Sequence, residues 1–225
     1  MARFTEHVIE GAFQALSVVP EEPAFQLSFA HGAGAGMRHK WMEAMAQELA
    51  GVGIATFRYE FPYMEKGRGV PDAKPVLLAR VHDAATVSKE LLPNVPLLAG
   101  GKSMGGRMSS LAASEGILDG VQGLVFFGFP LHPAGKPGTE RAEHLRQVGK
   151  PMLFLQGTRD TLADLELLRP VCDALPQSTV HVIEDADHSF HVRKLSGRND
   201  ADVMTELART VRTWADVHAT RGVEP

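Results

Sequence analysis

The sequence predicts an α/β protein: a mostly parallel eight-stranded sheet with helices on both faces, preceded by an antiparallel hairpin. Three observations carry this. Short apolar runs alternate with stretches of helical periodicity along most of the chain, the pattern of a parallel sheet covered by helices. Each run is brief and lacks polar alternation, as strands buried on both faces are. The chain opens differently, with two β-rich runs close together.

Those opening runs are Phe4 to Ile9 and Ala12 to Val19, hinged at Glu10-Gly11. After Pro20-Glu21-Glu22-Pro23 the buried strands begin: Ala24 to Ala30, Ile54 to Tyr59, Pro96 to Ala99, Leu124 to Phe129, Met152 to Leu155 and Val180 to Ile183. Helical spacing fills the gaps. Trp41, Met42, Met45 and Leu49 recur at steps of three and four, as do Leu77, Val81, Ala84, Val87 and Leu91. Met108, Leu111 and Ala112 begin a third helix, and Asp164 to Ala174 supplies another. Val203, Leu207, Val211 and Trp214 mark the last, with a weaker helix over Thr139 to Val148. The methionines and aromatics of these stripes read as core. No repeat, low-complexity tract or long linker interrupts the pattern, so residues 1–225 read as one domain.

Composition narrows the function. The 225 residues are 44% hydrophobic, enough to build a core without staples. A net charge of -4, from 23 basic and 27 acidic residues, excludes the basic footprint of a nucleic-acid binder. No stretch approaches the ~20 apolar residues of a membrane span, and the amino terminus lacks the apolar run of a signal peptide. The single cysteine, Cys172, excludes a disulfide framework and a multi-cysteine zinc site. The expectation is a soluble, cytoplasmic protein acting on a small molecule, with no membrane or nucleic-acid partner. Its oligomeric state is not legible here.

Ligands in open α/β sheets bind beyond the carboxyl ends of the strands, so polar residues there matter most. The run Pro96 to Ala99 is followed by Gly100-Gly101-Lys102-Ser103-Met104-Gly105-Gly106-Arg107, which contains G-x-S-x-G. An attacking serine must stand on a sharp strand-to-helix turn, and small residues two positions either side make room for it. The following helix aims its free N–H groups at a developing oxyanion. Two other readings fail on the page. A phosphate-binding P-loop ending at Gly101-Lys102-Ser103 needs glycine at position 96, where Pro96 stands. A dinucleotide fingerprint in His31-Gly32-Ala33-Gly34-Ala35-Gly36 needs glycine at 37 or 39, where Met37 and His39 stand.

That glycine-rich loop suits a different task. In hydrolases with a nucleophile elbow, the loop after this strand supplies a second oxyanion N–H beside that of the residue after the serine. The donors are then Met104 and Ala33, with Gly34 as the alternative to Ala33. The serine also needs a base. Of the ten histidines, His188 follows the last strand at the open end of the sheet. His181 falls within the strand and His218 on the final helix, while His31 and His132 come too early for the order serine, aspartate, histidine. Asp160 ends Gln156-Gly157-Thr158-Arg159-Asp160, just past a strand, and is favoured to orient the imidazole. Asp185 and Asp187 share the histidine's own loop, and Asp164 reads as a helix cap. His188-x-x-His191 with Asp185 and Asp187 matches no strong metal signature, so no metal or cofactor is expected.

Ser103, Asp160 and His188 in this order resemble the α/β-hydrolase superfamily over nearly the whole chain. More narrowly, His31 to Met37, Gly100 to Arg107 and Phe129-Pro130-Leu131-His132-Pro133 resemble the dienelactone-hydrolase-like family. That family has animal relatives in testis-expressed protein thirty and a subunit of the NSL histone-acetyltransferase complex. Dienelactone hydrolases themselves carry a cysteine nucleophile where this chain has Ser103.

The expectation is a serine hydrolase that cleaves a carboxylic ester or thioester through an acyl-enzyme. A scaffold retaining the fold and an acyltransferase are the alternatives. Only Pro130 to Lys150 separates two strands where many relatives insert a lid, so no large lid is expected. The site then lies open, bordered by Met37, Phe61, Tyr63, Leu131 and Phe190. Lys102, Arg107, Arg38 and Lys40 fall near its mouth, either favouring an anionic substrate or serving as solvated surface charge. Glu60 and Glu65 have no assigned role.

Overall fold

The computed structural model of the chain describes residues 3–9 and 13–219; the expected hinge at Glu10-Gly11 lies outside the described residues. Strands β1 (Arg3–Ile9) and β2 (Phe13–Val19) pair antiparallel, with Arg3 opposite Val19 and Ile9 opposite Phe13. Then follow β3 (Phe25–Ala30), α1 (Lys40–Gly51), β4 (Ile54–Tyr59), α2 (Pro62–Glu65), α3 (Lys74–Leu91), β5 (Leu97–Lys102) and α4 (Met104–Ser114). The chain continues through β6 (Val121–Phe127), a 3-10 helix (Glu140–Gln147), β7 (Met152–Gly157), α5 (Leu165–Asp173), β8 (Ser178–Ile183) and α6 (Asp200–His218).

These strands form one eight-stranded sheet in the order β1-β2-β4-β3-β5-β6-β7-β8. β2 runs antiparallel to β4, and every pairing from β4 onward is parallel. β3 lies between β4 and β5, so the chain reverses its direction of travel across the sheet there. The crevice at such a reversal is where open α/β sheets bind ligands.

Period-two alternation divides the core between two faces. Leu27 and Phe29 of β3 and Leu153 and Leu155 of β7 pack with Met45 and Leu49 of α1 and Leu207 and Trp214 of α6. Met152 and Phe154 of β7 face the other way, with Val81 of α3, Met108 of α4 and Leu168 of α5. Caps fix the helix starts: Glu166 N–H donates to Asp164 at α5, and Asn199 with Asp202 forms a reciprocal capping box at α6. Among the described residues, no helix is long and apolar enough to cross a membrane.

Three elements depart from the sequence expectation. The segment Thr139 to Val148 folds as a 3-10 helix, because its buried residues Ala142 and Leu145 recur at three rather than at alternating three and four. β8 is only half-buried along most of its length, since it closes the sheet and has no neighbour beyond it. α2 is a single turn, too short to leave a periodic signature.

Candidate active site

Ser103 occupies the junction of β5 and α4 with φ 50° and ψ -117°. The glycines around it answer to one atom. A side-chain carbon on Gly101 would stand 2.2 Å from the Ala30 carbonyl oxygen, and one on Gly105 would stand 2.5 Å from it. The turn therefore presses against the end of β3, and only glycine fits on either side of the serine. Ser103 N–H donates to the Phe127 carbonyl (3.1 Å), which ties the strained residue to β6.

Two other sheet ends converge on the hydroxyl. Ser103 Oγ lies 2.9 Å from His188 Nε2, and His188 Nδ1 lies 2.7 Å from Asp160 Oδ2. Asp160 follows β7 and is buried. Its Oδ1 accepts from Leu162 N–H (2.8 Å), and its Oδ2 also accepts from Gln156 Nε2 (2.5 Å). A carboxylate bound on both oxygens has a fixed orientation, and it fixes the imidazole in turn. His188 sits on the loop after β8. Among the described residues, the non-glycine positions with positive φ are Ser103, Asp185 and Phe190, and the last two flank His188. Backbone strain of this kind persists where the surroundings over-determine it, commonly at functional sites.

The His31 to Gly36 loop closes the other side. Gly32 packs against Ser103, and Gly34 N–H donates to the Tyr63 hydroxyl (3.1 Å). Ala33 is exposed beside the serine, with no hydrogen-bond partner for its N–H among the described residues. Met104 N–H opens α4, where helix geometry leaves it without an intrahelical acceptor. His31, wholly buried, has Nδ1 2.7 Å from the Gly32 carbonyl, while its Nε2 accepts from Phe61 N–H (3.1 Å). Glu60 Oε2 also lies 3.1 Å from that Nε2.

The cleft over Ser103 has a volume of about 720 Å³, walled by Ala33, His39, Lys40, Trp41, Leu162 and His191. Met37, Phe61, Tyr63, Leu131 and Phe190, expected at its border, are instead all buried. They lie at the sheet end, Tyr63 in α2 and the rest in loops, but their side chains turn down into the core, where apolar area leaves water. Of the four basic residues expected near the mouth, Lys40 and Lys102 both line the cleft, and the Lys102 ammonium reaches inward to the His188 main chain. Glu65 forms a two-pronged pair with Arg80 (2.9 and 3.1 Å), and Glu60 Oε1 accepts from Met37 N–H (3.1 Å). His191 pairs with Asp200 and Asp185 with Arg193, and among the described residues no three metal-binding side chains converge.

Gln156 and the Leu162 amide were absent from the sequence reading of the site, which placed Lys102 only as a charge near its mouth. Gln156 carried a signal: it is the one strongly polar residue in the otherwise apolar β7.

Residues 23–216 match the family described as an alpha/beta hydrolase domain. Among solved structures, a dienelactone hydrolase from Anabaena variabilis is similar with a TM-score of 0.75 at 18% identity, covering 98% of this chain and 99% of that one. An alpha-beta serine hydrolase homologue from Coxiella burnetii has a TM-score of 0.73 at 19% identity, over 92% of this chain and 97% of its own. A serine hydrolase without a lid from Xanthomonas campestris has a TM-score of 0.70 at 21% identity, over 95% and 94%. At these identities the likeness is one of fold.

Proposed function

The chain belongs to the alpha/beta hydrolase domain family, and from that premise we propose that it is a serine hydrolase cleaving a carboxylic ester or thioester. One observation carries the reading: an unbroken line of hydrogen bonds from Ser103 Oγ through His188 to Asp160, drawn from three separate strand ends. Ser103 Oγ attacks the carbonyl carbon and its proton passes to His188 Nε2. Asp160 steadies the resulting imidazolium. The carbonyl oxygen, now negative, accepts from Met104 N–H and Ala33 N–H, a choice favoured by the commitment of Gly34 N–H to Tyr63.

The C–O or C–S bond then breaks as His188 returns the proton to the leaving group. Water, deprotonated by His188, attacks the acyl-enzyme and frees Ser103. Each aligned oxyanion donor contributes about 3 kcal/mol of barrier reduction. The open cleft, and a β6–β7 connection occupied by a short 3-10 helix, support a small or exposed acyl group.

The test compares fluorophosphonate labelling of the native protein with that of Ser103→Ala, alongside turnover of p-nitrophenyl acetate and a short acyl thioester. Labelling and turnover that both vanish in the variant support the reading. A well-folded native protein that takes no label would sink it and leave the scaffold role implied by the animal relatives.

A further inference from the structure

Lys102 ends β5 and takes no part in the chemistry above, yet its ammonium sits directly behind His188. Nζ donates to the main-chain carbonyl of His188. It also lies 5.7 Å from the centre of the Trp41 ring and 5.4 Å from that of Phe190. A side-chain carbon placed on Gly128 would stand 3.1 Å from Lys102 Nζ, 3.3 Å from His188 Nδ1 and 3.4 Å from Asp160 Oδ2. The three groups thus surround one point that glycine leaves empty.

The loop carrying His188 needs such support. Its backbone is strained at Asp185 (φ 58°) and Phe190 (φ 63°), and it is held by ties at its ends. Asp185 pairs with Arg193 and Arg159, while Phe190 stacks on Trp41 at 6.0 Å. Among the described residues, Lys102 is the group outside the loop that grips the main chain of His188 itself.

We infer that Lys102, as its ammonium, is a positioning residue that clamps the His188 main chain so that the imidazole spans Ser103 and Asp160. This rests on the serine-hydrolase reading, and it makes turnover follow the charge on Lys102. The charged groups facing the clamp are Asp160 beyond β7 and Asp187 in the His188 loop. Farther out, His39 and Lys40 stand on the α1 wall, and His191 with Asp200 on the opposite one. Burial brings the Lys102 ammonium down to about 8, against the pull of Asp160 and Asp187. The neutral amine forfeits the charge-assisted bond to the carbonyl, the attraction of both aspartates and the hold on two aromatic faces.

The experiment follows p-nitrophenyl acetate turnover from about pH 6 to about pH 9.5 in the wild type, K102M and K102R, with tryptophan fluorescence read in parallel. Trp41 reports on Lys102 directly, and K102R subtracts any contribution from Trp214. In the wild type kcat falls above about pH 8, where the fluorescence also changes. K102M lowers kcat about tenfold or more with KM held within about twofold, the mark of lost alignment rather than lost binding. K102R, charged at every pH used, recovers at least about a third of kcat and shows neither the alkaline fall nor the fluorescence transition.

Full activity in K102M, an alkaline fall persisting in K102R, or a wild type without the transition overturns the inference. Should K102M not fold, K102R and the wild-type fluorescence decide. If no form turns over ester while the transition appears in the wild type and disappears in K102R, the hydrolase reading alone falls.

Discussion

The imidazole of His31 holds the Gly32 carbonyl at 2.7 Å beside Ala35 N–H, which donates to the same oxygen (3.3 Å), and the two contacts set the direction of the Ala33 N–H. Gly32 C=O and Ala33 N–H belong to the same peptide unit, which is planar and trans, so they point in opposite directions. Pinning the oxygen to the buried ring aims the hydrogen into the cleft over Ser103. Phe61 N–H and Glu60 Oε2, each 3.1 Å from His31 Nε2, hold the far side of the ring in place. His31→Ala removes the shorter of these two bonds and loosens that peptide, leaving only Ala35 N–H on the carbonyl. The expected result on p-nitrophenyl acetate is a kcat lower by about tenfold to a hundredfold with KM nearly constant, since the oxyanion forms only in the transition state. A rise in KM at constant kcat would place His31 in substrate binding instead.

Asp160→Asn tests the other end of the relay. Leu162 N–H already occupies Oδ1, so an asparagine keeping that bond presents its NH2 group to His188 and to Gln156 Nε2. Gln156 can meet the new NH2 group by turning its unpartnered Oε1 toward it, but His188 Nδ1 must then accept, and the imidazole is driven to the tautomer with its proton toward Ser103. Turnover should drop by about 10⁴-fold, while fluorophosphonate labelling slows but stays confined to Ser103. A loss smaller than about tenfold would mean that another carboxylate orients His188.

Much of this site was legible because its chemistry is punctuated by residues with few alternative uses. Gly101 and Gly105 flanking Ser103, and polar residues just beyond buried strands, expose themselves in a sequence. Asp160 and His188 each follow such a strand, and the structure brings both to the serine. Side-chain direction in loops left no comparable trace. Tyr63 belongs to a turn of four helical residues capped by Phe61, and the helical period says nothing over so short a span. Lys102 read as a mouth charge because lysine is so often solvated; its inward course is set by two aromatic rings contributed by distant segments. β8 was expected to be buried on both faces because a run of apolar residues does not disclose that a strand is the last in its sheet.

A glycine of the elbow and one of the His31 to Gly36 loop separate two kinds of strain. Gly101→Ala puts a carbon 2.2 Å from the Ala30 carbonyl oxygen, a clash with main chain that neither strand can relieve. Gly34 has φ 71° but meets nothing within 4 Å, so Gly34→Ala carries only the backbone penalty. Urea unfolding should show G101A destabilised by about 3 kcal/mol or failing to fold, against about 1 kcal/mol for G34A. Equal losses would contradict the contact with β3.

Cys172 offers a reporter of global unfolding. The thiol lies in the core on α5, and burial, followed by the nearby Asp173 carboxylate, pushes it up to about 12. Thiolate is the reactive form, so at pH 8 only about 1 in 10⁴ molecules would carry it. The native protein should resist a disulfide reagent such as DTNB and release one equivalent of thiolate product on denaturation. Rapid stoichiometric reaction of the native protein would show that α5 opens on its own.

His144 gives stability a slope on the acid side. Its Nε2 lies 2.7 Å from Ser110 Oγ, so it joins the 3-10 helix to α4. Burial, then the Arg107 and Lys74 charges, lower its proton affinity from 6.5 to about 4. Between those values the unfolded chain binds a proton that the folded protein refuses. Stability therefore falls as pH drops from about 6.5 toward about 4, and this contribution levels off below. Carboxylates add their own acid dependence, so the informative quantity is the difference from His144→Gln, which can keep a bond to Ser110 but cannot titrate. The urea midpoint of the wild type should descend more steeply than that of H144Q across this window, and the two should run parallel above pH 7. Parallel curves throughout would mean that His144 accepts its proton without leaving Ser110.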